Sequence, residues 1–233
     1  VGAENVSATA LGMSATLVFG EERLPFSTSI IGRHNLGNIL AVAAVLVAEG
    51  LSPAEIVVRL HRLQPPAGRM ARYGGQHAPL VVVDYAHTPD ALTHILRALR
   101  DVATARQGRL ICLFGCGGDR DPGKRPEMGR AATAGADAVW ITSDNPRWED
   151  PEAILSSIAE GAPDAVRITD RAAAIAQVIA QAAEADVVLL AGKGHESTQE
   201  IRGQRYPFDD AVQAQAALEA WRVAHRLQMV GAS

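Results

Sequence analysis

Two rhythms of apolar and polar positions divide the chain. Over the first thirty residues they alternate. Ser7–Phe19 and Leu24–Ile31, joined by the turn Gly20-Glu-Glu-Arg23, predict a β-meander. From Gly32-Arg-His-Asn the spacing becomes helical and runs to Glu49, where Gly50 ends it. Ser52-Pro-Ala-Glu55 opens a second helix with a capping serine and a proline in the first helical position. That helix stops before Pro65-Pro66, which with Gly68 marks a boundary. Two pieces are expected, 1–66 and 67–233.

Beyond the boundary, short apolar runs alternate with helical stretches. Leu80–Asp84, Leu110–Phe114, Ala138–Thr142, a short segment near Val166–Ile168, and Val187–Ala191 read as strands. Helices are expected up to Arg106, from Pro126, from Pro151, over Asp170–Ala183 and after Asp209. Runs apolar on both faces, separated by helices, predict an α/β fold: a mostly parallel, Rossmann-like sheet with right-handed crossovers. Ligands of such sheets bind beyond the carboxyl ends of the strands. Every unusual polar cluster of this chain falls at such an end.

Composition changes this picture little. Of 233 residues 48% are hydrophobic and 21% charged, as in ordinary globular proteins. A net charge of -4 gives no electrostatic reason to expect nucleic acid or an anionic membrane as partner. Cys112 and Cys116 are too few for a disulfide framework and cannot alone close a zinc site, which fits a reducing cytoplasm. The longest apolar run, Ile39–Ala48, is well short of the roughly 18 residues of a membrane span. No signal peptide is visible, and the chain runs from Val1 straight into strand-like sequence, an opening that implies missing residues upstream.

The clusters carry the chemistry. Gly115-Cys-Gly-Gly-Asp-Arg-Asp-Pro-Gly-Lys-Arg125 nearly matches a phosphate-binding loop, but Arg125 stands where a Ser or Thr would hold magnesium. It reads as an anion-friendly loop with Arg120 and Lys124 adding charge, or as a solvated turn. In Ser143-Asp-Asn-Pro-Arg147, Asp144 suits an ammonium group and Arg147 a carboxylate gripped by two hydrogen bonds, with Pro146 stiffening the loop. A zwitterionic amino acid needs that pair, and the alternative is a turn that caps the helix at Pro151. Gly192-Lys-Gly-His-Glu196 combines close backbone approach with a second anion at Glu196, unless it is a plain β-turn.

Asp84-Tyr-Ala-His-Thr-Pro-Asp90 places Asp84 and His87 at a strand end, either for nucleotide or phosphate contact or beside a helix capped by Thr88 or Asp90. Asn35 and Asn38 lie three apart on one helix face, a paired amide surface suited to adenine or ribose, though capping by Asn35 would explain half of it. His61, His77, His94 and His225 read as surface or packing residues. No Ser-His-Asp or metal-ligand constellation emerges.

Together, His34-Asn-x-x-Asn38, Gly68-Arg-Met70, Asp84–Asp90, Gly117-Gly-Asp-Arg-Asp121, Asp144-Asn-Pro-Arg147 and Gly192-Lys-Gly-His-Glu196 resemble, in order, the landmarks of the Mur ligase family, which makes bacterial peptidoglycan precursors. The resemblance implies an ATP-dependent, magnesium-requiring amide-bond-forming ligase of the cytoplasm. Its Asp-Asn-Pro-Arg motif implies a member that adds meso-diaminopimelate to a UDP-linked muramoyl dipeptide. Arg120, Asp144, Asn145, Pro146, Arg147, Gly192 and Glu196 would then bind diaminopimelate. Asn35, Asn38, Arg69 and Asp84 would contact ATP, with His87 as the catalytic candidate.

Residues 1–66 would be the tail of a central ATP-binding domain, and 67–233 the C-terminal amino-acid-binding domain. The family's phosphate loop, carbamylated lysine and UDP-sugar-binding domain lie upstream in relatives. This piece alone is therefore expected to bind and not to turn over, with its meander poorly supported and its magnesium ligands elsewhere. The rival readings are a lysine-adding or folylpolyglutamate-type ligase, and a non-catalytic nucleotide- or amino-acid-binding module.

Overall fold

The computed structural model describes residues 1–231, without the side chains of 34 and 227–231. The chain divides into two compact units, Val1–Pro65 and the residues from Pro66 onward.

In the first unit, β1 (Gly2–Thr9), β2 (Gly12–Phe19) and β3 (Glu22–Thr28) form an antiparallel meander, followed by α1 (Arg33–Ala48) and α2 (Pro53–Leu60). The expected first strand, Ser7–Phe19, is in fact two strands. The chain reverses before Gly12, whose φ of 151° permits a backbone approach that leaves no room for a side chain: a Cβ there would lie 2.1 Å from the Thr28 carbonyl oxygen. Met13, Leu17 and Phe26 of the sheet close on Ile39, Ala43, Ile56 and Leu60 of the two helices. The helices therefore give the meander an apolar support that the alternating pattern alone does not reveal. Asn35 is not the cap of α1. Gly32 occupies that position, without a side-chain cap bond.

In the second unit the order is β4 (Ala71–Gly74), β5 (Leu80–Asp84), α3 (Pro89–Arg106), β6 (Leu110–Phe114), α4 (Lys124–Gly135), β7 (Ala138–Ile141), α5 (Pro151–Ala159), β8 (Val166–Arg167), α6 (Arg171–Ala180), β9 (Val187–Ala191), β10 (Thr198–Ile201), β11 (Gln204–Pro207) and α7 (Asp210–Gly231). Six strands form one sheet in the order β4-β5-β9-β6-β7-β8. Only β4 runs antiparallel to its neighbour. The result is the Rossmann-like α/β arrangement that the alternating runs predict.

β5, β6 and β9 are buried along their whole length because helices cover both faces. Val81, Val83, Ile111, Leu113, Val188 and Leu190 face α6 and α7, meeting Ile175, Val178, Leu218 and Trp221. The alternate residues of these strands point to the other face, where α3, α4 and α5 pack in sequence. Each fully buried aliphatic side chain contributes about 1.5–3 kcal/mol relative to exposure.

Four elements depart from expectation. β4 and the β10–β11 ribbon are additional, and α4 begins at Lys124, two residues before Pro126. The ribbon turns through Arg202 (φ 51°) and Gly203 (φ 74°), the two left-handed residues of a tight hairpin.

Candidate functional site

The loops after β5, β6, β7 and β9 meet at one rim of the sheet. β5 and β6 continue into α3 and α4, while β9, lying between them, leads through the ribbon to α7, which packs with α6. This change of direction opens a crevice at the strand ends. It holds a cavity of about 470 Å³ lined by Tyr85 and His87, by Arg120, Lys124 and Arg147, and by Asp144, Asn145, Gly192 and Glu196. Arg147 and Glu196, far apart in sequence, thus share one cavity.

Close backbone packing joins the loops. The Gly118 amide donates to the Asn145 carbonyl at 2.9 Å, and Arg147 Nη1 donates back to the Gly118 carbonyl at 2.7 Å. A Cβ on Gly117 would lie 2.9 Å from Arg147 Nη1 and 3.7 Å from Arg120 Cγ, so both cations border that glycine. Gly192, at φ 116°, leaves space in which a Cβ would stand 3.2 Å from the Asp144 carboxylate. The left-handed backbone of Gly68 brings it against the amide of His195, where a Cβ would lie 2.1 Å away. That contact fixes the start of the unit beside the β9 loop.

The acidic part of the cavity is organised by a lysine to which the sequence alone assigns no role. Lys193 is fully buried, and its ammonium donates to Asn145 Oδ1 at 3.1 Å, Glu196 Oε2 at 3.3 Å and Asp144 Oδ1 at 3.4 Å. Asn145 also donates to Glu196 at 2.9 Å and accepts from the Glu200 amide at 2.9 Å. Burial pushes the Asp144 carboxyl up, against the pull of Arg171 and Lys193. Burial, with the Asp144 charge added, also pushes the Cys116 thiol up to about 12, so this wall residue is neutral and no nucleophile.

Beneath these loops lies a second buried pair. Arg171, at the start of α6, donates from Nε and Nη2 to the two oxygens of Asp210, at the start of α7, at 2.7 and 2.6 Å. Its remaining bonds reach the Ser143 and Ala191 carbonyls at 3.3 and 3.1 Å, the ends of the β7 and β9 segments. One guanidinium thereby ties two helices to two loops.

Arg147 has a left-handed backbone, φ 51°, and the ribbon holds it there. Its amide donates to the Glu200 carbonyl at 3.0 Å, and its own carbonyl accepts from Arg202 at 2.6 Å. Its guanidinium lies 3.6 Å from the Glu200 carboxylate. Gln199 donates to the Asp144 carbonyl at 2.7 Å.

On the β5 side, Asp84 accepts the amides of Met70 and Ala86, each at 2.8 Å, so its carboxylate organises the surrounding loop. His87 Nδ1 is 2.8 Å from the Tyr85 carbonyl, and its ring packs edge-on against Tyr85 at 4.6 Å. Arg69 lies over the same tyrosine, 5.0 Å from its centroid. Asn35 and Asn38 belong to the first unit. Asn35 donates to the Ile31 carbonyl at 2.8 Å, and Asn38 to Asn35 at 3.2 Å.

The two capping alternatives resolve cleanly. Thr88, not Asp90, caps α3, and Asp150 caps α5, which leaves the Asp144–Arg147 loop without that duty. Replacing Thr88 by Ala is expected to cost about 1 kcal/mol in urea unfolding while leaving the cavity's charges unchanged. A loss below a tenth of that value would mean the cap bond contributes nothing.

Sequence reasoning misses Lys193, Arg171, Asp210, Gln199 and Glu200. For Lys193 a signal exists: two carboxylates assigned to one pocket require a cation nearby, and a lysine sits between the glycines. Among the described residues no three His, Cys, Asp or Glu side chains converge as metal ligands.

This architecture defines a family. Residues 68–194 match the family model "Mur ligase, glutamate ligase domain", and the chain belongs to the Mur ligase family. It is 53% identical over 92% of its length to the UDP-N-acetylmuramoyl-L-alanyl-D-glutamate--2,6-diaminopimelate ligase of Ectopseudomonas mendocina, and 52% identical to that of Pseudomonas aeruginosa. A solved structure of a ligase of that name superposes over 94% of the chain with a TM-score of 0.78 at 38% identity. The UDP-N-acetylmuramate-alanine ligase of Thermotoga maritima, 21% identical with a TM-score of 0.65, shares the fold. The chain spans 44% of the length of the E. mendocina relative and 45% of the solved ligase. None of the described helices is long and apolar enough to cross a membrane.

Proposed function

We propose that this chain is the part of a cytoplasmic diaminopimelate-adding ligase that binds the incoming amino acid. One observation carries the reading: carboxylates and guanidinium groups from three sequence-distant loops line a single cavity at the sheet's switch point. Diaminopimelate carries an amino-acid head at both ends, so it needs both signs of charge in one pocket. Asp144 and Glu196 receive an ammonium group, and Arg147 receives the distal carboxylate that lysine lacks. Arg120 completes the basic wall, Asn145 and Pro146 hold the β7 loop in shape, and Gly192 lets the ligand approach the backbone.

The reaction is that of the named relatives, the joining of 2,6-diaminopimelate to UDP-N-acetylmuramoyl-L-alanyl-D-glutamate. ATP supplies the activation by phosphorylating the glutamate carboxylate, leaving ADP, and the diaminopimelate amine attacks the resulting acyl phosphate to form the amide and expel phosphate. The residues on this chain contribute positioning and charge. Residues 1–66 form the tail of the ATP-binding domain and 67–233 the amino-acid domain. Asn35 and Asn38 are the first unit's candidates for contact with ATP, Arg69 and Asp84 are the second unit's, and His87 is the catalytic candidate.

Calorimetric titration of the chain with meso-diaminopimelate, lysine and ATP tests this. Heat from diaminopimelate and none from lysine is expected. A stronger response to lysine would point to a lysine-adding relative. Equal or absent responses to the two amino acids would favour a non-catalytic module of another class.

A further inference from the structure

The cavity wall built by the loop after β6 is rich in cations that the protein itself leaves without a counterpart. Arg120, Lys124 and Arg125 all line it. Arg125 is buried and donates from Nη2 to Glu149 at 2.8 Å, yet its buried Nε has no acceptor among the described residues. Arg120 and Lys124 are exposed and form no ion pair with any described residue. Asp121 shares the wall, but its carboxylate accepts the Gly123 amide at 3.0 Å.

Lys124 and Arg125 are also the first two residues of α4, where the helix dipole presents its positive end. Cations there destabilise a helix, and no side chain caps this one. In its first turn only Glu127 has the opposite sign. A buried N–H without an acceptor adds a further penalty. An anion bound in the cavity would offset both, since a helix N-terminus flanked by cations favours negative charge.

Diaminopimelate supplies such a group. It carries two carboxylates, and Arg147 accounts for the distal one. The other belongs to the reacting head, on the carbon that bears the attacking amine. We propose that Lys124, at the head of α4, is a further substrate-binding residue that receives this second carboxylate, with the Arg125 Nε–H as a second donor. The inference rests on the amino-acid-binding reading of the cavity. Held at both ends, the amino acid presents its amine in a fixed direction as well as a fixed place.

The test sets binding against stability. Lys124→Gln is expected to weaken meso-diaminopimelate binding about tenfold in calorimetry, the loss of one charge-assisted hydrogen bond. Its urea midpoint is expected not to fall, because the helix end sheds an unfavourable charge. Lys124→Arg keeps a cationic donor and should bind within about threefold of the parent. A residue with a merely structural role would lower the midpoint together with binding. That result overturns the proposal, as does unchanged affinity in Lys124→Gln.

Inorganic phosphate, compared with chloride at equal ionic strength, supplies the second arm. It is expected to raise the urea midpoint of the parent and not that of Lys124→Gln. If diaminopimelate gives no heat with the parent, the functional reading fails and takes the carboxylate assignment with it. The phosphate comparison then decides alone whether α4 heads an anion site, and equal protection of both proteins overturns it. If diaminopimelate binds both proteins alike while phosphate protects only the parent, the site serves a phosphoryl group, and the carboxylate assignment falls.

Discussion

Replacing Arg171 by Met is expected to destabilise the second unit by about 3–5 kcal/mol, the usual cost of removing one partner from a buried ion pair. Both side chains of the Arg171–Asp210 pair are fully buried, so Asp210 would be left charged, unpaired and cut off from water. The Ser143 and Ala191 carbonyls would lose their donor as well. With a urea dependence of about 2 kcal/mol per molar, the unfolding midpoint should fall by roughly 2 M. The companion variant, Arg171→Met with Asp210→Leu, removes the orphaned charge and should recover most of the loss. A single variant as stable as the parent would mean the pair plays no part in holding the loops.

The second large effect concerns Arg147. Arg147→Lys is expected to weaken meso-diaminopimelate binding by about 10- to 100-fold, since charge-assisted hydrogen bonds contribute roughly 1.5–3 kcal/mol each and an ammonium cannot reproduce the fork. Stability should fall by only about 1 kcal/mol, because the charge is kept while the Gly118 carbonyl loses its Nη1 donor. The backbone supports a functional role. Left-handed φ costs a non-glycine residue roughly 1–2 kcal/mol, and a glycine would sit there without strain. The chain nonetheless places a guanidinium at that point and fastens it with two main-chain bonds to the ribbon. Where a strained residue also carries the chemistry, side-chain placement is the more economical explanation. Equal titration curves for Arg147→Lys and the parent would remove Arg147 from the site.

Much of this is legible in the residues, for identifiable reasons. Leu80–Asp84, Leu110–Phe114 and Val187–Ala191 are runs that only a doubly covered strand accommodates, and polar clusters directly after them point to the sheet's rim. β4 is hidden because Ala71-Arg-Tyr-Gly74 is a half-buried edge with no apolar run. β10 and β11 are hidden because Gln204–Pro207 is exposed throughout and the turn is Arg-Gly, not the commoner Asn-Gly. Ser7–Phe19 reads as one strand because nothing in Ala10-Leu11 announces a reversal except the glycine that follows.

The site divides along the same line. Asp144, Arg147 and Glu196 are visible as charges placed where charges are costly. Lys193 stands in plain view within its motif, but its role emerges only from the acceptors that three-dimensional folding assembles around it. Arg171 and Asp210, thirty-nine positions apart, are invisible to any local pattern.

The ribbon that fastens Arg147 forms its own two-stranded sheet, outside the six strands that carry the core. Its length and turn can therefore drift without disturbing the hydrophobic scaffold, while each change re-aims the guanidinium by moving its anchor points. On the proposed amino-acid-binding reading, selectivity would reside in a detachable clasp, and grafting other hairpins would retune the preferred amino acid while leaving the arginine and the sheet untouched.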